Sequence, residues 1–139
     1  MANYKNLIAW QKSHSLAITV YKVTKNFPRH ELFGLTSQLR RSALSIPTNI
    51  VEGYNRKSKK GFVYFIDVAL GSLAETEYLI EFAEELNYLE KDKSEDIKNL
   101  IAEVGRLLWG LQYSKTSAFS LIYYAIFKNV FTNIKRSTV

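Results

Sequence analysis

Pro47 sits in the middle of a stretch, 35–56 (LTSQLRRSALSIPTNIVEGYNR), that is otherwise helical in its periodicity from end to end. Leu35, Leu39, Ala43, Ile46 and Ile50 recur at steps of three and four and form one apolar stripe. Gln38, Arg41, Ser45, Asn49, Glu52 and Arg56 recur at similar steps and form a second, wholly polar stripe. A proline inside a helix removes one backbone hydrogen bond and disfavours helical geometry at the residue before it, at a cost of ~3 kcal/mol or more. A chain that keeps such a residue between two stripes must surround that helix with compensating contacts. The expectation is a bent central helix packed on several sides.

Composition narrows what surrounds it. At 139 residues the chain fits one domain, long enough to bury a single core without cross-links. Hydrophobic content of 47% with 23% charged residues is that of a soluble globular protein. The absence of cysteine excludes disulfides and thiolate metal sites and is compatible with a reducing cytoplasm, the expected location. The opening residues MANYKNLIAW lack the basic start and long apolar core of a secretory signal. Two prolines and six glycines are too few punctuators for a many-stranded sandwich or barrel. The expected class is all-α.

Residues 3–25 read as the first helix, with Leu7, Trp10, His14, Ala17, Tyr21 and Thr24 on one stripe and Leu16, Val20 and Val23 on a neighbouring one. His14 on that stripe reads as a hydrogen-bonded core residue. Pro28 ends the helix, and a short connection leads through Gly34 into the central one. Gly53-Tyr54-Asn55 closes the central helix, and Ser58 is placed to cap the next. That third helix, 59–86, is the longest periodic segment and has two apolar faces. One carries Phe62, Ile66, Ala69, Leu73 and Ile80; the other carries Val68, Leu79, Phe82 and Leu86, with Ser72 and Glu75 in line between them. Two faces exceed the needs of one core, so one is expected to meet another subunit. A polar turn over 87–93, capped by Asp92 or Ser94, precedes a fourth helix marked by Ile97, Ile101, Val104, Leu108 and Leu111.

Four helices with short connections imply an antiparallel up-down-up-down four-helix bundle over residues 1–116. Residues 117–139 form an additional apolar C-terminal segment, in which Phe119, Ile122, Ile126, Val130 and Ile134 keep helical spacing. A strand competes there because the segment is rich in aromatic and β-branched residues. Its unbroken apolar run stops at Lys128, well short of the ~20 residues that cross a bilayer. No transmembrane segment is expected, and a further helix docked on the bundle or on a neighbour is the favoured reading.

Chemistry finds little to work with. A di-iron bundle needs Glu-x-x-His pairs on two helices, and no such pair occurs. The glycines are scattered, without a phosphate-cradling loop. Ser45 shares a stripe with Asn49 and Glu52, but no histidine accompanies them as a base. A non-enzymatic protein with no metal or other cofactor is expected.

Charge is segregated along the chain. Residues 1–61 carry eleven Lys/Arg against two acids, a balance of +9; residues 62–99 carry three against ten, a balance of −7. The last forty residues return to +4, for a net charge of +6. Basic faces attract polyanions, while a basic and an acidic helix in one molecule also pair with each other. Both readings stand for the central helix. Gln38, Ser45, Pro47, Asn49 and Glu52 read as a structural or oligomer network, with Arg41 paired to Glu52 or Glu75. Against this, Arg40, Arg41, Arg56, Lys57, Lys59 and Lys60 read as phosphate contacts, with Tyr54 beside them to stack on a base.

Three groups of residues then resemble a known family. Tyr4-Lys5-Asn6-Leu7 with Trp10-Gln11-Lys12, Phe33-Gly34-Leu35-Thr36-Ser37-Gln38-Leu39-Arg40-Arg41-Ser42-Ala43, and Ser45-Ile46-Pro47 with Asn49-Ile50 and Glu52-Gly53 resemble the 23S rRNA intervening-sequence proteins. The resemblance extends over about Tyr4 to Gln112. It implies an antiparallel four-helix bundle, a homopentameric ring and binding of RNA or DNA. The accessory proteins of diversity-generating retroelements are similar, which adds a reverse transcriptase as a possible protein partner. Thr48 and Val51 replace the usual alanines, Asn55 stands where glycine is common, and the tail beyond Ala118 is a departure from relatives that end near the fourth helix.

Overall fold

The computed structural model describes residues 3–114. A 3-10 turn at Tyr4–Asn6 leads into α1 (Ile8–Thr24), and a second 3-10 turn at Arg29–Glu31 precedes α2 (Leu35–Tyr54). α3 (Lys59–Glu85) and α4 (Lys91–Ser114) follow, and no strand occurs among the described residues. Each helix packs on two others in the ring α1–α2–α3–α4–α1, and neither diagonal pair approaches closely. Short connections between adjacent helices make this an antiparallel four-helix bundle. The tail, 117–139, lies outside the described residues.

The core follows the predicted stripes. Leu39, Ala43, Ile46 and Ile50 of α2 are fully buried, as are Ile66, Ala69 and Ile80 of α3 and Val104 and Leu108 of α4. On α1 the core takes Leu16 and Val20 of the second expected stripe together with Ala17 and Thr24 of the first. Leu16, Ala17 and Val20 are buried with Ala9 and Ser13, whereas His14 is exposed and stacks its ring on Trp10 at 4.9 Å. His14 is therefore a surface residue. The buried face, Ala9, Ser13, Leu16, Ala17, Val20 and Thr24, is centred nearer Leu16 and Val20, and His14 falls at its edge.

α2 is the element in contact with most others, touching α1, α3 and both 3-10 turns. Pro47 is buried within it and the helix runs on through it. Around the missing amide, side chains add hydrogen bonds of their own: Thr48 Oγ1 donates to the Leu44 carbonyl at 2.8 Å and Asn49 Nδ2 to that of Ser45 at 2.8 Å. The polar stripe then turns out to face α3. Ser45 and Ser72 hydroxyls meet at 2.9 Å, Asn49 Nδ2 donates to Ser45 Oγ at 2.9 Å, and the buried Thr76 donates to Ser42 at 3.0 Å.

Both turns flanking α3 have clear local causes. Ser58 is extended and accepts from the Gly61 amide at 3.1 Å, the anticipated cap. At the other end Asn87 takes the left-handed conformation (φ 58) and lets Tyr88 N–H reach the Ala83 carbonyl and Asn87 N–H that of Glu84, both at 2.9 Å. α4 begins at Lys91, so neither Asp92 nor Ser94 caps it. Ser94 is buried instead and donates to Glu84, which also receives Lys98 Nζ at 2.9 Å. Leu79, of the second apolar face of α3, is in the core, whereas Phe82 and Leu86 of that face are 40% and 41% exposed.

This packing makes the glycines of α2 and α3 unequal. A Cβ on Gly53 would stand 3.0 Å from Phe65 Cβ and 3.3 Å from the Phe62 carbonyl, whereas one on Gly71 meets nothing within 4 Å. Overpacking costs about 1–3 kcal/mol, against about 1 kcal/mol that alanine gains in helix propensity. Gly53→Ala is expected to lower the urea midpoint and Gly71→Ala to raise it; a lowered midpoint for Gly71→Ala would mean that this face is covered by another copy.

The Ser94 hydroxyl, followed by Lys98, holds the Glu84 carboxyl below its ordinary value, and Glu84 in turn holds the Lys98 ammonium above its own. The Glu84 contribution is present at neutral pH and disappears as pH falls through the lowered carboxyl value. The Lys98 contribution is complete at neutral pH and disappears as pH rises through the raised ammonium value. Glu84→Gln is expected to flatten both the acid and the alkaline arms of a melting-temperature profile measured by circular dichroism.

Candidate nucleic-acid interface

The cations of the first half of the chain are divided between two corners of the bundle. Arg40 and Arg41 lie in the second turn of α2, whereas Tyr54 ends α2 and Arg56, Lys57, Lys59 and Lys60 surround the turn into α3. At a rise of 1.5 Å per residue the two groups are on the order of 20 Å apart. They do not make one compact patch.

At the α2–α3 corner, Ser58 caps α3 and thereby orders the turn that carries the lysines. Arg56 is not the free cation expected of it. Its guanidinium donates to Glu52 Oε2 at 2.9 Å and lies over the Phe65 ring, 4.5 Å from the centroid. Lys57, Lys59 and Lys60 are exposed and have no hydrogen bond or ion pair among the described residues. Tyr54 is half-buried beside them, without an aromatic neighbour among the described residues.

At the other corner Arg40 ties α2 to α1. Its Nε donates to Thr24 Oγ1 at 2.8 Å and its guanidinium covers the Tyr21 ring at 5.0 Å. Arg41, one residue on, is exposed and pairs with neither Glu52 nor Glu75. Glu75 accepts instead from Gln38 Nε2, at 3.5 Å. Gln38, Ser45 and Asn49 all engage α3 or each other, while Glu52 engages Arg56.

Lys25 and Arg29, which sequence reasoning passed over, flank Arg40 across the first connection. They belong to the connection just before α2, and the return of the chain at Pro28 brings them beside Arg40. The cue was the scarcity of acids between Asn26 and Thr36, where Glu31 stands alone.

The acids gather elsewhere. Glu75, Glu77, Glu81, Glu84 and Glu85 lie on the second half of α3, and Glu84 is neutralised across the bundle by Lys98. Lys12 likewise reaches Glu103 at 3.1 Å. Among the described residues no cluster of three or more His, Asp or Glu side chains is placed to hold a metal ion, and no helix is long and apolar enough to cross a membrane.

The fold and these corners define a class: an antiparallel four-helix bundle whose proline-containing second helix carries the basic turns. Residues 5–110 match the family model of the 23S rRNA-intervening sequence proteins, and the chain belongs to that family. The crystal structure of a protein of unknown function from the S23 ribosomal protein family of Bacteroides thetaiotaomicron is similar, with a TM-score of 0.69 and 29% identity. The similarity covers 76% of this chain and 98% of that one. No functionally curated protein matches the sequence.

Because Arg40 bridges two helices and Arg41 bridges nothing described, the two adjacent arginines are expected to differ on truncation. Arg40→Ala should cost about 1–2 kcal/mol in chemical denaturation and Arg41→Ala less than about 0.5 kcal/mol. Equal losses would show that Arg40 is not an anchor.

Proposed function

We propose that the chain is a non-catalytic, homo-oligomeric bundle that binds nucleic acid, RNA foremost, in the cytoplasm. The observation that carries the reading is the α2–α3 turn, where Lys57, Lys59 and Lys60 are exposed without a described partner. Cations left unpaired on an ordered turn are preorganised for phosphate, and their charge is not cancelled locally. Membership of a family named for an intervening sequence in 23S rRNA supports RNA as the polyanion. A homopentamer is the assembly that the family resemblance implies. Five copies at +6 each carry +30 per ring, so weak single contacts add through avidity.

A second reading, a protein-interaction scaffold with a partner such as a reverse transcriptase, is favoured by exposed apolar side chains. Phe33 is 94% exposed and Tyr64 and Tyr78 are about three-fifths exposed. The two readings separate by salt: phosphate contacts weaken steeply with ionic strength and apolar contacts do not.

In fluorescence anisotropy with single-stranded RNA, replacing Lys57, Lys59 and Lys60 together by glutamine is expected to weaken binding and leave helicity intact. The slope of log affinity against log salt should fall by about 2, at roughly 0.7 for each phosphate that is no longer neutralised. Absence of RNA and DNA binding by the unaltered chain at low salt would remove the reading. Light scattering on the same sample gives the number of copies.

A further inference from the structure

Where α1 ends and the connection folds back on α2, the chain encloses a notch of about 290 Å³. Lys25, Arg29 and Arg40 supply three cations to its lining, and no acid lines it. The nearest acid in sequence, Glu31, is already engaged: Oε2 accepts the Leu35 amide at 2.9 Å, and Oε1 accepts from Tyr88 at 3.4 Å. Pro28 and Leu32 form an apolar wall over the buried Phe27.

Two polar groups are poised there. Arg40 is held by Thr24 and Tyr21, and beyond its Nε bond the guanidinium has no described hydrogen-bond partner or carboxylate. Thr36 is only 3% exposed, lines the notch, and its hydroxyl has no hydrogen-bond partner among the described residues. The other helical threonines Thr19, Thr24, Thr48 and Thr76 each donate to a carbonyl one turn back. Thr36 is the second residue of α2, so no helical carbonyl stands one turn behind it, and its hydroxyl keeps a free donor at the wall of the notch.

The end of α1 does not oppose an anion through bare carbonyls. Thr24 Oγ1 donates to the Val20 carbonyl, and those of Lys22, Val23 and Thr24 accept the amides of Lys25, Asn26 and Phe27.

We propose that this notch seats a nucleotide unit. Its phosphate lies among Arg40, Lys25 and Arg29 with the Thr36 hydroxyl donating to it, and the attached nucleoside lies against Pro28 and Leu32. The volume is near the lower end for a small-molecule site, which suits one nucleotide and not a larger cofactor. A free mononucleotide and an unstacked nucleotide within an RNA strand present the same chemistry. Only the second source rests on the nucleic-acid reading above.

Calorimetric titration of the full chain with AMP, adenosine and hexanoate, and photo-crosslinking with 8-azido-AMP, test the assignment. AMP is expected to bind, adenosine and hexanoate at least tenfold more weakly, and the crosslink to map within 24–40. Thr36→Val, which keeps the side-chain shape, and Arg29→Gln, at an exposed position, should each weaken AMP about tenfold with melting temperature nearly unchanged. Competition between AMP and single-stranded RNA would assign the seat to the strand. AMP binding without RNA binding would keep the seat for a free nucleotide and remove only the nucleic-acid reading. No heat with AMP at millimolar concentration, equal binding of hexanoate, or crosslinks confined to the Lys57–Lys60 turn overturns the proposal.

Discussion

The contact between α2 and α3 holds the rest of the molecule in register. It is a polar seam set between apolar stripes, in which Ser42, Ser45 and Asn49 meet Ser72 and Thr76. Small side chains let the two helices approach until the backbone at Gly53 leaves no room for a methyl group. Hydroxyls in such a place demand partners, since an unpaired buried donor costs about 1–3 kcal/mol. The seam therefore favours one axial alignment of α2 on α3 over its neighbours. That alignment decides where the Ser58 turn stands and where its lysines point.

Pro47 belongs to the same region. Its missing amide is offset by contacts on several sides of α2 and by the side-chain bonds from Thr48 and Asn49 to the carbonyls beside it. A helix that depends on its neighbours to this extent gives the bundle a rigid centre, and charge is arranged around it. Acids on α3 are partly neutralised by α4 through Lys98, while the turns at either end of α2 keep cations that nothing described neutralises. This division leaves positive charge uncancelled at the basic corners and aromatic side chains exposed on α3.

Much of this is legible without the fold. Leu39, Ala43, Ile46 and Ile50 are readable as core because a period of three and four has one physical explanation in a helix. Ser58 is readable as a cap because its hydroxyl precedes a helical run. His14 is misplaced by pattern because two neighbouring stripes share α1, and the core takes the Leu16 and Val20 side and leaves His14 at the edge. Ser94 is misplaced because a serine near a helix start looks like a cap whether it accepts from the backbone or donates to a distant carboxylate. Arg56 is misread as free although Glu52 stands four residues before it, an ion-pair spacing on a helix; only the Phe65 ring of α3 lies beyond the reach of pattern.

By itself the sequence determined the helical class, the four segments, their turns and the imbalance of charge, all of which follow from local periodicity and composition. Tertiary structure alone decided which cations are spent on the protein and which are left over. It tied Arg40 to Thr24 and laid Arg56 over the Phe65 ring, left Lys57, Lys59 and Lys60 exposed, and gathered Lys25, Arg29, Thr36 and Arg40 around one notch. The physical reason is that pairing and enclosure depend on distances between residues remote along the chain. Such distances exist only once α1, α2 and α3 have packed.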